Sequence, residues 1–142
     1  MTTVNPYLAF NGNCQEAFDF YKSVFGGEFR VRSTFGDMPA TSGYDVPESV
    51  KDKIMHISLP ISNETILMGC DANPAMGDVT MGQNISIAIG VSGKEDADRI
   101  FNGLSEGGKI TFPMSDMFWG SYFGMLIDQF DIIWMVSYDK AA

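Results

Sequence analysis

Positive charge is scarce in this chain. Nine Lys and Arg stand against eighteen Asp and Glu over 142 residues, for a net charge of −9, and the basic residues never form a run. Binding to a phosphate backbone needs clustered cations, so no nucleic-acid partner is expected. Cysteine is also rare. Cys14 and Cys70 stand alone without a CxxC spacing, which points to reduced structural thiols and not to a disulfide framework. No apolar run approaches the roughly 20 residues needed to span a bilayer. The start MTTVNPYLAF lacks a basic segment followed by an apolar one, so neither a signal peptide nor a membrane partner is expected, and the expected location is cytoplasmic. GxSxG and HExxH are absent. The glycine pairs Gly26-Gly27 and Gly107-Gly108 follow helical patterns instead of opening them. They read as stops and not as phosphate cradles, which argues against a nucleotide-type methyltransferase.

What is present is a repeated unit. The content is 45% hydrophobic and 19% charged, ordinary for a globular protein of one compact domain. The run VNPYLAFNG reads as a strand, followed by Asn13 with Glu16 three positions on, the spacing of a capping box. Ala17, Phe20, Tyr21, Val24 and Phe25 then recur at helical spacing. Some eighty residues later NISIAIGV is a strand, Ser92 to Glu95 a second capping box, and Ala97, Ile100, Phe101 and Leu104 a second apolar stripe. Three strand-like runs follow each helix: EFRVRSTF, KIMHISLPI and ETILMG, then KITFPM, GSYFGMLI and DIIWMVS. The expected fold is α+β, two tandem βαβββ modules, about residues 3–71 and 83–138, forming a curved mixed sheet around a cleft. The polar insert GDMPATSGYDVPESVKD is expected to be a loop with a short helical turn near Pro47-Glu48-Ser49.

This paired grammar resembles the vicinal oxygen chelate superfamily, which includes glyoxalase I, ring-cleaving dioxygenases and the fosfomycin- and bleomycin-resistance proteins. The words PYLAFNGNCQEAFDFYKSVFGGE, IMHISL, NISIAIGV and FWGSYFGMLIDQF look like its PhnB-like branch, sometimes labelled as demethylubiquinone methyltransferase-related. The resemblance implies one divalent metal, held by His, Gln or Glu on the first strand of each module and a Glu on the last. The corresponding positions here are Pro6, Ser86 and Met135. A one-residue slip gives Asn5 or Tyr7, Ile85 or Ile87, and Trp134 or Val136, which restores no ligand set. Pro and Met offer no hard donor and Ser only a weak one. No metal ligand is therefore expected, and no cofactor.

Strand alternation sorts the faces. Met55, Ile57 and Leu59 are expected under the helices, with Ile54, His56 and Ser58 on the concave side. By the same alternation Pro6, Leu8 and Phe10, Ser86 and Ala88, and Ile133, Met135 and Ser137 are expected to line the cleft. His56 is the only histidine. It reads either as a half-buried residue bonded to a neighbour or as a cleft acid/base or hydrogen-bond donor. In FWGSYFGMLIDQFDIIWMVS the aromatic density reads mostly as hairpin core, with Trp134 beneath the helices and Asp128 initiating the turn. Trp119, as pocket wall or subunit contact, and one of Tyr122 or Phe123 remain site candidates. Asp116, in the loop before Trp119, is a candidate base, and Asp37 a weaker one.

The expected site residues are thus His56 and Asp116 for catalysis, and Leu8, Phe10, His56, Ser58, Ser86, Trp119, Tyr122 and Met135 for ligand binding. The expected function is sequestration of a partly hydrophobic small molecule by a homodimer, without the superfamily metal. The alternative is a glyoxalase- or dioxygenase-like enzyme using His56 or an atypical divalent metal site. A third reading gives the loop over 36–53 a binding partner.

Overall fold

A computed structural model describes residues 2–38, 46–73 and 77–140. Parts of the polar insert (39–45) and of the connecting stretch (74–76) lie outside the described residues. The chain divides into two compact units, Met1–Thr80 and Met81–Ala142.

In the first unit the order is β1 (Tyr7–Phe10), α1 (Cys14–Phe25), β2 (Val31–Thr34), β3 (Ile54–Pro60) and β4 (Ile66–Asp71). These strands form a four-stranded mixed sheet in the order β1-β4-β3-β2, parallel only between β1 and β4. The parallel pair requires a crossover, and α1 lies within it. The helix buries Cys14, Ala17, Phe18, Tyr21 and Val24, so the stripe runs through Phe18 and not through Phe20 and Phe25 as the sequence suggests. A short 3-10 turn, Glu48–Val50, stands where the insert was expected to coil.

The second unit repeats the plan with β5 (Ile87–Val91), α2 (Lys94–Ser105), β6 (Lys109–Asp116), β7 (Ser121–Ile127) and β8 (Ile133–Asp139). Its sheet order is β5-β8-β7-β6, again parallel only at β5–β8. Ala97, Ile100, Phe101 and Leu104 are buried on α2 as the periodicity predicts.

Neither capping box forms. Asn13 and Gly93 stand at the N-caps, and no side chain at either cap position makes the bond. For α1 the acceptor arrives from across the sheet: Asp71 Oδ1 takes the N–H groups of Gly12 (2.9 Å) and Cys14 (3.0 Å), and its Oδ2 takes that of Ile54 (2.8 Å). A carboxylate suits this place, since the first-turn N–H groups lack intrahelical partners and carry the positive end of the dipole. One buried side chain thereby ties together the last strand, the helix start and the start of β3.

Candidate functional site

Each sheet has one face under its helix and one turned away from that helix, here called the open face, and glycines mark which is which. A Cβ on Gly69 would stand 2.7 Å from both the Phe18 ring and the Leu8 carbonyl oxygen. One on Gly124 would stand 2.8 Å from the Phe101 ring. Gly69 and Gly124 therefore face α1 and α2, and cross-strand partners share that side.

Gly69 lies opposite Ile57, so Ile57 is under α1, and His56 and Ser58 take the open face, as the alternation of β3 predicts. The alternation of β1 is the reverse of the expected one. Leu8 lies opposite Gly69, and Phe10 opposite Asp71. Phe10 is fully buried with its ring edge-on to Phe18 at 6.3 Å. Leu8 and Phe10 are thus helix-side residues, and Tyr7 and Ala9 occupy the open face. The run PYLAF is apolar on both sides, so nothing in its sequence fixes its phase.

Tyr7 brings the principal polar group that sequence reasoning missed. Its hydroxyl lies 3.1 Å from His56 Nδ1, with the rings stacked at 5.6 Å and 26°. Met68 lies opposite Tyr7, Cys70 opposite Ala9, and Ser33 opposite His56. Partial burial, then the neighbouring Cys70, lifts the Tyr7 hydroxyl from 10.0 to about 12. Burial also raises the Cys70 thiol. Both groups are neutral hydrogen-bonding groups at neutral pH, and neither is an activated nucleophile. Ser58 is buried, and its hydroxyl accepts the N–H of Val31 at 3.2 Å.

In the second unit Gly124 pairs with Val136 and Leu126 with Trp134, which places Trp134 under α2 as expected. Tyr122 shares that side. Its hydroxyl donates to Asp98 of α2 at 2.6 Å, and Lys94 Nζ sits 4.8 Å from its ring centroid. The hydrogen bond to Asp98 raises the Tyr122 hydroxyl and lowers the Asp98 carboxyl. Tyr122 is therefore a helix-locking residue, and Phe123 is the aromatic on the open face.

That face carries a group of apolar side chains, with Ser115 and Ser137 beside Phe123. Phe112 and Phe123 stand 6.0 Å apart, Trp119 lies 6.5 Å from Phe123, and Met125 faces Met135 across the sheet. Trp119 is 57% exposed and Phe118 96%. Ala88 lies opposite Met135 on the same face. Asp116 belongs to the end of β6 and not to a loop, and it forms an ion pair with Lys140. It is mostly exposed and lies in a different unit from His56. Asp37 accepts the N–H of Thr34 at 2.8 Å, a local cap that lowers its carboxyl.

The fit to a divalent metal can be tested on the positions themselves. Ser86 and Met135 do come together, but as a hydroxyl donating to a thioether at 3.2 Å. Neither is a hard anionic donor, and Pro6 has no side-chain donor at all. Among the described residues no group of three His, Cys, Asp or Glu could hold an ion. This donor set does not fit the superfamily metal.

Proteins of similar sequence and fold are known. Residues 2–137 match the family model described as 3-demethylubiquinone-9 3-methyltransferase. Protein YjdN of Escherichia coli (strain K12) is 30% identical over 146 residues, covering 96% of this chain and 95% of the relative. The crystal structure of protein PA1353 from Pseudomonas aeruginosa is 38% identical with a TM-score of 0.86, covering 98% of each chain. The PhnB protein from Bacillus cereus, at 21% identity and a TM-score of 0.69 over 96% of this chain and 99% of that one, shares the fold. The chain belongs to the family described as 3-demethylubiquinone-9 3-methyltransferase, the PhnB-like branch whose paired βαβββ modules are those of the glyoxalase and bleomycin-resistance fold.

Proposed function

We propose that the protein binds a partly hydrophobic small molecule on its open sheet surface, without the superfamily metal. The observation that carries this reading is the aromatic and thioether face of the second sheet, where Trp119, Phe112 and Phe123 gather beside Met125 and Met135. Rigid rings and adaptable thioethers recognise apolar ligands through contact area, and a few polar groups fix their orientation. Ser86, bonded to Met135 on that sheet, is the polar group we assign to that role; the pair Tyr7–His56 lies in the other unit. Asp116, held by Lys140, is a weaker candidate. The family description names a methyl transfer, but each unit here is a four-stranded mixed sheet with one helix. The described residues include no doubly wound parallel sheet with a glycine-rich strand-to-helix turn.

The two tryptophans provide the test. Trp134 is buried and bonded to Asp128, whereas Trp119 is exposed. Titration with 2-acetylnaphthalene should quench Trp119 emission saturably, and Trp119→Phe should abolish the response. Elemental analysis, with a thermal-shift titration of Zn²⁺, Ni²⁺, Mn²⁺ and Fe²⁺, should find neither stoichiometric metal nor saturable stabilisation. A saturable metal shift would instead favour the second reading, a glyoxalase- or dioxygenase-like enzyme. The observation behind that reading is the Tyr7–His56 hydrogen bond, which could support acid/base work. His56→Ala would then abolish turnover. We also propose a homodimer, and sedimentation as a monomer at micromolar concentration would overturn that.

A further inference from the structure

Three rings on the open face of the second sheet are inclined to one another and not stacked. Phe123, in the middle of β7, has Phe112 at 6.0 Å and 58° and Trp119 at 6.5 Å and 63°. The two stand on opposite sides of it along the strand. Phe112 lies across from Met125, two residues beyond Phe123, whereas Trp119 precedes Ser121, two residues before it. A hydrogen-bonded turn holds Trp119 there: the Met117 N–H donates to the Ser121 carbonyl at 2.8 Å, and the Gly120 N–H to the Met117 carbonyl at 3.1 Å. A flat apolar molecule can stack on one of these rings at a time. A compact cation can meet the faces of several, and each face carries the negative side of a ring quadrupole.

The same face carries a carboxylate at the Trp119 end. Asp139 lies opposite Ser121, and alternation puts it on the side of Met135 and Ser137, away from the buried Trp134 and Val136. The Lys140 N–H donates to the Gly120 carbonyl at 3.0 Å, which brings the end of β8 alongside the Trp119 turn. Asp139 is exposed and makes no ion pair among the described residues. The neighbouring Lys140 is engaged with Asp116, which lies opposite Tyr122 on the helix side of the sheet. Lys140 therefore leaves the aromatic face with its negative charge. The net charge of −9 adds a field that favours a cation over a neutral or anionic ligand.

We propose that the apolar ligand carries an organic cation, a quaternary or protonated tertiary amine, which sits over Phe123 between Phe112 and Trp119 with its charge facing Asp139. This rests on the ligand-binding reading above and names the class of ligand that the surface selects. All four side chains belong to the second unit. The rings cover one side of the cation, and the exposed side keeps the rest of its hydration, so little desolvation opposes the attraction. A trialkylammonium group suits such a site better than a primary amine. Its alkyl groups spread the charge over an apolar surface, and it brings few or no N–H donors that need acceptors.

Phenyltrimethylammonium and tert-butylbenzene provide the test, because they share one shape and differ only in a charged nitrogen for a carbon. Titrations followed through Trp119 emission at low ionic strength should give the cation about fivefold the affinity of the hydrocarbon. Asp139→Asn, an exposed and nearly isosteric change, should weaken the cation about threefold and leave the hydrocarbon unaltered, and salt at about 0.5 M should act in the same direction. Equal or weaker binding of the cation by the wild type overturns the inference. Saturable binding of 2-acetylnaphthalene would in that case leave the apolar-surface reading intact. A cation affinity unmoved by Asp139→Asn overturns the inference as well. Failure of all three probes to bind removes that reading and the inference with it.

Discussion

Trp134 donates its indole N–H to Asp128 Oδ2 at 2.8 Å, and both residues are buried. The other carboxylate oxygen accepts the N–H groups of Phe130 (2.8 Å) and Ile132 (3.0 Å), which closes the turn between β7 and β8. One aspartate therefore sets the hairpin and orients the largest core side chain of the second unit. Asp128→Ala leaves two buried donors and one half-buried donor without this acceptor and should cost about 3 kcal/mol. For a domain of this size the melting temperature should fall by roughly 10 °C. Asp128→Asn can keep the turn contacts but sets an amide N–H₂ against the indole N–H, so it should cost less than Ala yet remain destabilising. Chemical denaturation of the two variants measures both. Wild-type stability in Asp128→Ala would mean that water replaces the carboxylate.

Two glycines of the sheets should respond in opposite directions. At Gly69 an alanine Cβ meets a backbone oxygen and an aromatic ring at 2.7 Å, and a backbone cannot easily retreat. Gly69→Ala should cost about 1–3 kcal/mol. Gly90, in β5, has nothing within 4 Å of an added Cβ and no positive φ. Gly90→Ala should therefore be neutral or stabilise by about 0.5 kcal/mol, through the entropy of the unfolded chain. Equal costs at the two positions would mean that α1 does not pack on β4 as closely as described.

The contrast between these sites shows what was readable in the sequence. The order of helices and strands was legible because both apolar stripes and most strand runs are bounded by glycines and polar turns. The faces of β3 were legible because KIMHISLPI places its one histidine in phase with Ser58. The faces of β1 were not, since Tyr7, Leu8, Ala9 and Phe10 carry no polar alternation, so Tyr7 was passed over and Phe10 put on the wrong side. Tyr122 was misplaced for a related reason. Its neighbour Phe123 is equally aromatic, and the deciding partner, Asp98, lies 24 positions away. Capping failed similarly. A local box was written at Asn13 and Glu16, but the acceptor that reaches the helix is Asp71, 57 positions beyond Cys14. Long-range polar partners leave no periodic trace.

Asn11 tests another of these long-range bonds. Its side-chain amide donates to the Val79 carbonyl and accepts the Val79 N–H, both at 2.9 Å. The amide thereby imitates a strand partner for the connecting stretch after β4. Both bonds are exposed, so Asn11→Ala should cost only about 1 kcal/mol globally. Its effect should be local, with the Val79 amide exchanging with solvent much faster while the amides of β3 and β4 stay protected. Unchanged exchange at Val79 would mean that other contacts hold this stretch.

Alkaline pH should expose two of the groups that the first unit keeps protonated, Cys14 and Tyr7. Burial, and then the negative charge of Asp71, pushes the Cys14 thiol far above its ordinary 9.0. Tyr7 moves from 10.0 to about 12. Both shifts favour the protonated form in the folded state. Below about pH 9 the protons are present in folded and unfolded chains alike, so these groups add no pH dependence. Above that the unfolded chain releases the Cys14 proton while the folded chain retains it, and stability falls by at most about 1.4 kcal/mol per pH unit for this group. Tyr7 adds to the loss from about pH 10, and its share is complete by about 12. Tyr122 and Cys70 are shifted in the same direction. Urea denaturation at intervals from pH 8 to 11 should therefore show a steepening decline. Cys14→Ala, although less stable at pH 8 through lost packing, should decline less steeply, because its unfolded chain has one proton fewer to release. Parallel curves for the two proteins would show that Cys14 ionises as readily in the folded chain as in the unfolded one.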